Sequence, residues 1–159
     1  MQKYRDNLEG FMERYLIGGV VAIAFIAFIV LLVMADKKAN KKFAAKIAAE
    51  HHMKDQYGKF IVTEEGEFMF SLPSGSLEGY KLWKLSDIGA IAVHNNQFTI
   101  MDPSQKASKG EYLSPSKKPL KEKSYKTFDV QRGQSAEEVA DLIIRNAEHV
   151  KLIQKGKVQ

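Results

Sequence analysis

Hydrophobic and polar residues change their period twice along the chain, and each change marks a different element. From Leu16 to Ala35 the run LIGGVVAIAFIAFIVLLVMA carries no charge, and at 1.5 Å per residue about 20 such residues match a hydrocarbon core of about 30 Å. A buried helix of a globular core keeps a polar face; here every position is apolar or glycine, which predicts a membrane-spanning helix over 16–35. From Asp36 to Tyr57 alanine and lysine dominate without proline or glycine, and Phe43 and Ile47 stand four apart. That spacing predicts a weakly amphipathic, basic juxtamembrane helix or linker over 36–57, continuing into water or lying along the membrane surface.

Beyond Lys59 the period becomes two. KFIVT (59–63) and EFMFSL (67–72) flank Glu64-Glu65-Gly66 and predict a hairpin, and YKLWKL (80–85) predicts a third strand covered on both faces. GAIAVH (89–94) and QFTIM (97–101) meet at Asn95-Asn96, a pair that tolerates the positive φ of a tight turn. Residues 102–124 hold Pro103, Pro115 and Pro119 and read as loop with one short strand at Glu111–Leu113, before YKTFDV (125–130) resumes alternation. Ser135 with Glu138 three residues later forms a capping-box pattern, and Glu137 suits the positive helix start. Val139, Leu142, Ile143, Ala147, Val150 and Ile153 then recur at spacings of three and four, predicting a helix that runs to about Gln154. The expected fold class is α+β: one N-terminal transmembrane helix, then a small antiparallel β domain of six or seven strands with a C-terminal capping helix. The expected division is a tail at 1–15, the span at 16–35, the basic linker at 36–57, a soluble domain at 58–154 and a tail at 155–159.

That element order, short antiparallel strands closed by one amphipathic helix, resembles the pleckstrin-homology-like fold, in particular the small bacterial domains of that kind that sit behind a membrane anchor. The resemblance implies a bent sandwich plugged at one end by the helix. In lipid-binding members it also implies basic residues around the first hairpin turn that hold a phosphoinositide. Here that turn carries Glu64, Glu65 and Glu67, whose carboxylates repel phosphate, so a headgroup site at that turn is not expected.

Charge adds direction. The formal net charge is +5, from 24 basic and 19 acidic residues. Lys3, Arg5 and Arg14 precede the apolar run, while Lys37, Lys38, Lys41, Lys42, Lys46 and Lys54 come after it. The positive-inside rule therefore places the C-terminal domain on the cytoplasmic side of a cell inner (plasma) membrane, anchored by a single pass. A cleaved secretory signal is disfavoured by the length of the run and by Asp6, Glu9 and Glu13 before it. Gly10-Phe11 resembles the processing site of type IV pilins, but Tyr15 stands where those carry glutamate. Gly18 and Ala22 give a small-xxx-small spacing compatible with self-association.

Two lysine groups are candidate contacts. Lys37, Lys38, Lys41, Lys42 and Lys46 form a membrane-facing basic cluster, where each charge near anionic lipid contributes about 1 kcal/mol. Lys106, Lys109, Lys117, Lys118, Lys121 and Lys123 form a candidate binding loop. Nucleic acid is not expected there, because the loop has no arginine and Tyr112 is its one stacking group.

Reactive constellations are missing from the sequence. With no cysteine there is no thiol nucleophile, disulfide framework or zinc ribbon. His51 and His52 are adjacent, about 100° apart on a helix, and His94 and His149 are isolated, so solvated histidines and no metal or other cofactor are expected. Ser114-Pro115-Ser116-Lys117 matches Ser-x-x-Lys, but Pro115 and Pro119 disfavour the helix start that this chemistry uses. No catalytic residue is assigned, and an enzyme is not expected. The expected function is a membrane-tethered, non-catalytic interaction domain that recruits a protein partner or a second copy of itself through an exposed sheet edge or the groove beside the C-terminal helix. Direct binding of anionic lipid headgroups or nucleic acid by the lysine groups is the alternative, with an unrecognised enzyme behind it.

Overall fold

A computed structural model describes residues 2–72, 79–115, 126–130 and 133–154, with side chains from Ile17 onward. The chain divides into two compact units, Met1–Ala39 and Asn40–Gln159. The first is the greater part of helix α1, Gln2–Glu50. Its large apolar side chains between Ile17 and Met34 are 44% to 69% exposed, so no face of it is reserved for a protein core. Among the described residues this is the one helix long and apolar enough to cross a membrane, a property that N-terminal signal sequences share.

In the second unit the expected linker over 36–57 is corrected. The helix stops at Glu50, and β1, Met53–Tyr57, takes the rest as an edge strand paired antiparallel with β2, Phe60–Thr63. Alanine and lysine favour helix up to Glu50, whereas His51, His52, Asp55 and Tyr57 do not, and pairing with β2 decides between the two. The turn between β1 and β2 is Gly58-Lys59. Gly58 has φ +59°, the left-handed conformation that selects glycine, and the end of the Gln134 side chain lies over it.

β1 and β2 open a five-stranded antiparallel sheet in the order β1-β2-β3-β4-β7, with β3 at Glu67–Leu72, β4 at Gly79–Lys84 and β7 at Glu111–Leu113. The second sheet has the order β8-β6-β5-β9, with β5 at Ala90–His94, β6 at Gln97–Met101, β8 at Phe128–Asp129 and β9 at Lys151–Gln154. Asn95 and Asn96 both adopt positive φ in the tight β5–β6 turn, as their identity suggested. The described residues thus hold nine strands where six or seven were expected; β1 and β9 are the additions that the periodicity hid.

The last helix is also corrected. α2 covers Ala136–Asn146 and ends there, and residues 151–154 pair parallel with β5. Val150 is buried in the connecting turn and Ile153 lies on β9, so neither extends a helical stripe. The free edge of β5 offers these residues a hydrogen-bonded ladder, and Asn146 closes the helix by donating to Leu142 O and to Asp55. Ser135 caps α2, but through the amide and carboxylate of Glu137, while its own amide donates to the Tyr57 hydroxyl; the reciprocal bond expected of Glu138 is replaced by that tertiary contact.

Between the two sheets lies an aromatic core of Phe60, Phe68, Phe70, Trp83, Phe98 and Phe128, closed by Ala136, Val139, Ala140, Leu142 and Ile143 of α2. Phe70 touches Phe60, Phe68, Trp83, Phe98 and Phe128 at centroid separations of 5.2 to 5.9 Å. A smaller cluster forms on the outer face of the first sheet: Ile47 of α1 with Met69 and Leu82, flanked by Phe43, Ile61, Tyr80 and Leu113. The Phe43–Ile47 stripe read as a surface-seeking face therefore docks on the sheet.

Candidate functional site

The outer face of the first sheet is where an open groove, a strand edge unpaired among the described residues and a charge cluster coincide. β4 alternates so that Tyr80 and Leu82 point outward, and in register with them β7 places Leu113 and Glu111 on the same face. The last turns of α1 cross this face, Phe43 against Tyr80 with ring centroids 5.9 Å apart, and Ile47 buried against Met69 and Leu82. Beside the helix remains a groove of about 430 Å³ lined by Phe43, Ile47, Leu82 and Leu113, with Lys46, Glu50 and Glu111 at its rim. β7 borders it, is three residues long, and pairs only with β4 among the described strands.

The groove is also lined by His51 and Glu67, one of two neighbouring histidine–carboxylate contacts. His51 Nδ1 lies 2.6 Å from Glu67 Oε2, with both side chains only 17% exposed. His52 Nδ1 lies 2.8 Å from Glu65 Oε1, at the surface. The backbone joins in, since Glu64 donates its amide to the His52 carbonyl. The hydrogen bond to Glu65 and that carboxylate's charge raise the His52 pKa, helped by Glu64, while the His52 hydrogen bond draws Glu65 down to about 2. The expectation of solvated histidines is thus overturned at His51, whereas His52, though paired with Glu65, keeps its side chain exposed. The turn whose carboxylates argued against a phosphate ligand uses two of them to hold these imidazoles.

The lysine-bearing loop after β6 is fastened rather than loose where it is described. Asp102 accepts from the Ser104 hydroxyl and the Lys106 amide, the Trp83 indole donates to Ser108 Oγ at 3.1 Å, and Gly110 at φ +63° lies against the Trp83 ring. Lys81, 1% exposed, donates to the Lys109 carbonyl at 2.8 Å and lies over the Tyr112 ring. Its burial was foreshadowed by its phase, since Lys81 shares a strand face with Trp83. Lys106 and Lys109 themselves are exposed, as are Lys37, Lys38, Lys41, Lys42 and Lys46. Lys117, Lys118, Lys121 and Lys123 lie outside the described residues.

A second cleft, of about 710 Å³, lies between the β2–β3 turn and the end of α2, and is lined by Glu65, Glu67, Lys84, Ser86, Glu148 and His149 among others. Ser86 and His149 share it, but Ser86 donates to Asp87 and His149 Nε2 contacts the Leu85 carbonyl at 3.2 Å, so neither is aimed at the other. Among the described residues no three His, Cys, Asp or Glu side chains gather as a metal site. No protein-family model, curated protein or solved structure matches the chain.

Proposed function

We propose that this chain is a single-pass membrane protein whose domain, on the cytoplasmic side, binds a protein segment as an added strand along the β7 edge and in the groove beside it. The observation that carries this reading is the coincidence of an edge strand, unpaired on its outer side among the described residues, with the apolar wall of Phe43, Ile47, Leu82 and Leu113. Strand addition needs both, backbone groups for affinity and pockets for alternate side chains. The tether concentrates the domain at the membrane, and the excess of lysine after the apolar run sets its side. The fold that fits is an elaborated pleckstrin-homology-like domain: two antiparallel meanders and then a helix, with β7 and β9 as departures from that plan.

A photo-crosslinking side chain at Glu111, in full-length protein in its native membrane, tests this reading against the same side chain at His94 on the second sheet. A discrete protein adduct is expected at Glu111, absent at His94 and abolished by Leu113→Asp, which places a charge in the apolar wall. Equal capture at the two positions, or none, sinks the reading.

A further inference from the structure

We propose that the last turns of α1, residues 40–50, form a pH-responsive strap over the first sheet, held by the His51–Glu67 and His52–Glu65 pairs and loosened as the His52 imidazole loses its proton. This goes beyond the binding role above and does not depend on any partner.

The strap is lightly held by packing: of its apolar side chains Ile47 alone is fully buried, with Phe43 half-buried. Polar contacts at its end add to the attachment, and two of them come from one dipeptide. Both histidines lie just beyond the C-terminus of α1, where the helix dipole favours a cation, and both reach the same β2–β3 turn. Histidine is the side chain whose charge changes within the physiological range.

The surroundings favour the charged form of His52. Carboxylates facing the pair are Glu64, Glu65 and Glu67 from the turn, Glu50 from the helix and Glu111 from β7. The cations are Lys46, which pairs with Glu50, and Lys84, which stands opposite Glu67 in β4; Glu148 and His149 line the far side of the turn. Acidic groups outnumber basic ones there.

The two shifts set the direction. His52 is raised above its ordinary 6.5, so its contribution is complete below that pH and is lost as pH rises through the higher folded value. Glu65 is lowered from 4.5 to about 2, so its contribution is present above 4.5 and is lost only in strong acid. The strap is tightest between those ordinary values and slackens toward alkaline pH. Slackening uncovers Met69 and Leu82 and frees the Phe43–Ile47 stripe with its flanking lysines.

The chain has no cysteine, so spin labels attach only where cysteine is introduced. Labels at Ala48→Cys and Ser86→Cys, both exposed, span the strap and the 3-10 turn that follows β4 of the first sheet. In full-length protein in lipid nanodiscs, the distance distribution by pulsed electron resonance is expected to be single and narrow at pH 5.5. At pH 8.5 a second, longer component appears while the near-ultraviolet signal of Trp83 is retained. With His51→Gln and His52→Gln added, the longer component is expected at both pH values. Identical distributions at the two pH values overturn the proposal, as does a glutamine variant that keeps the wild-type response.

Discussion

Asp55 shows how much one side chain in a short edge strand controls. Its carboxylate accepts from Arg145 Nε at 2.6 Å and Nη2 at 3.0 Å, from Asn146 Nδ2 at 2.8 Å and from the Gln56 amide at 2.8 Å. β1 is thereby tied to the last turn of α2, at the point where the β1–β2 register shifts. The hydrogen bond from Arg145, and after it that from Asn146, holds the Asp55 carboxyl well below the usual carboxylate range. A lowered pKa contributes stability above the unfolded value of 3.8, and this is lost as pH falls through the folded value. Asp55→Asn is expected to cost about 1 kcal/mol at pH 7, a figure discounted for solvent screening at the half-exposed Arg145. Thermal denaturation of the two proteins checks it: their difference in Tm should narrow steadily below pH 4, whereas a purely steric defect would keep it constant.

At the scale of elements, α2 makes a comparison between two glutamates possible. Ser135→Ala removes the acceptor for the Glu137 amide and is expected to cost about 1 kcal/mol, within the usual range for such caps. Glu138→Ala, which a reciprocal capping box would make costly, is expected to change stability by less than about 0.5 kcal/mol; chemical denaturation of both variants separates the two arrangements. The start of α2 was legible in the sequence because a cap is a local signal, and its end was not. Val150 and Ile153 satisfy the helical period and also suit a strand, and only the vacant edge of β5, more than fifty residues earlier in the chain, selects the strand. β1 was hidden for the same reason, because its partner β2 and its anchors Arg145 and Asn146 are tertiary. The hairpins at 60–72 and 90–101 were readable, since alternation and turn residues suffice for them. Of the candidate site, the apolar pair Phe43 and Ile47 was visible as a stripe, but the face it covers was not. The histidine–glutamate pairs join residues 13 and 16 apart, separations with no periodic signature.

For the whole molecule, the decisive quantity is the free energy of keeping the apolar run in lipid, set against the rival fate of removal as a signal. About 20 uncharged residues that present no protected face match the thickness of a bilayer, and burying each apolar side chain in hydrocarbon stabilises the inserted state. In the proposed orientation, lysine at five positions between Lys37 and Lys46 is what keeps the C-terminal domain from being translocated. An uncleaved anchor with its domain inside predicts two separable results in the cell. A tag placed before Met1 stays with the chain at full mass, whereas cleavage near Ala35 would release it. A single cysteine at Lys106→Cys, exposed on the loop after β6, reacts with a membrane-impermeant maleimide only once the membrane is opened. The same label on a cysteine placed ahead of the apolar run reacts in intact cells. Labelling of Lys106→Cys in intact cells with the tag retained would invert the orientation, and loss of the tag would replace the anchor by a signal sequence.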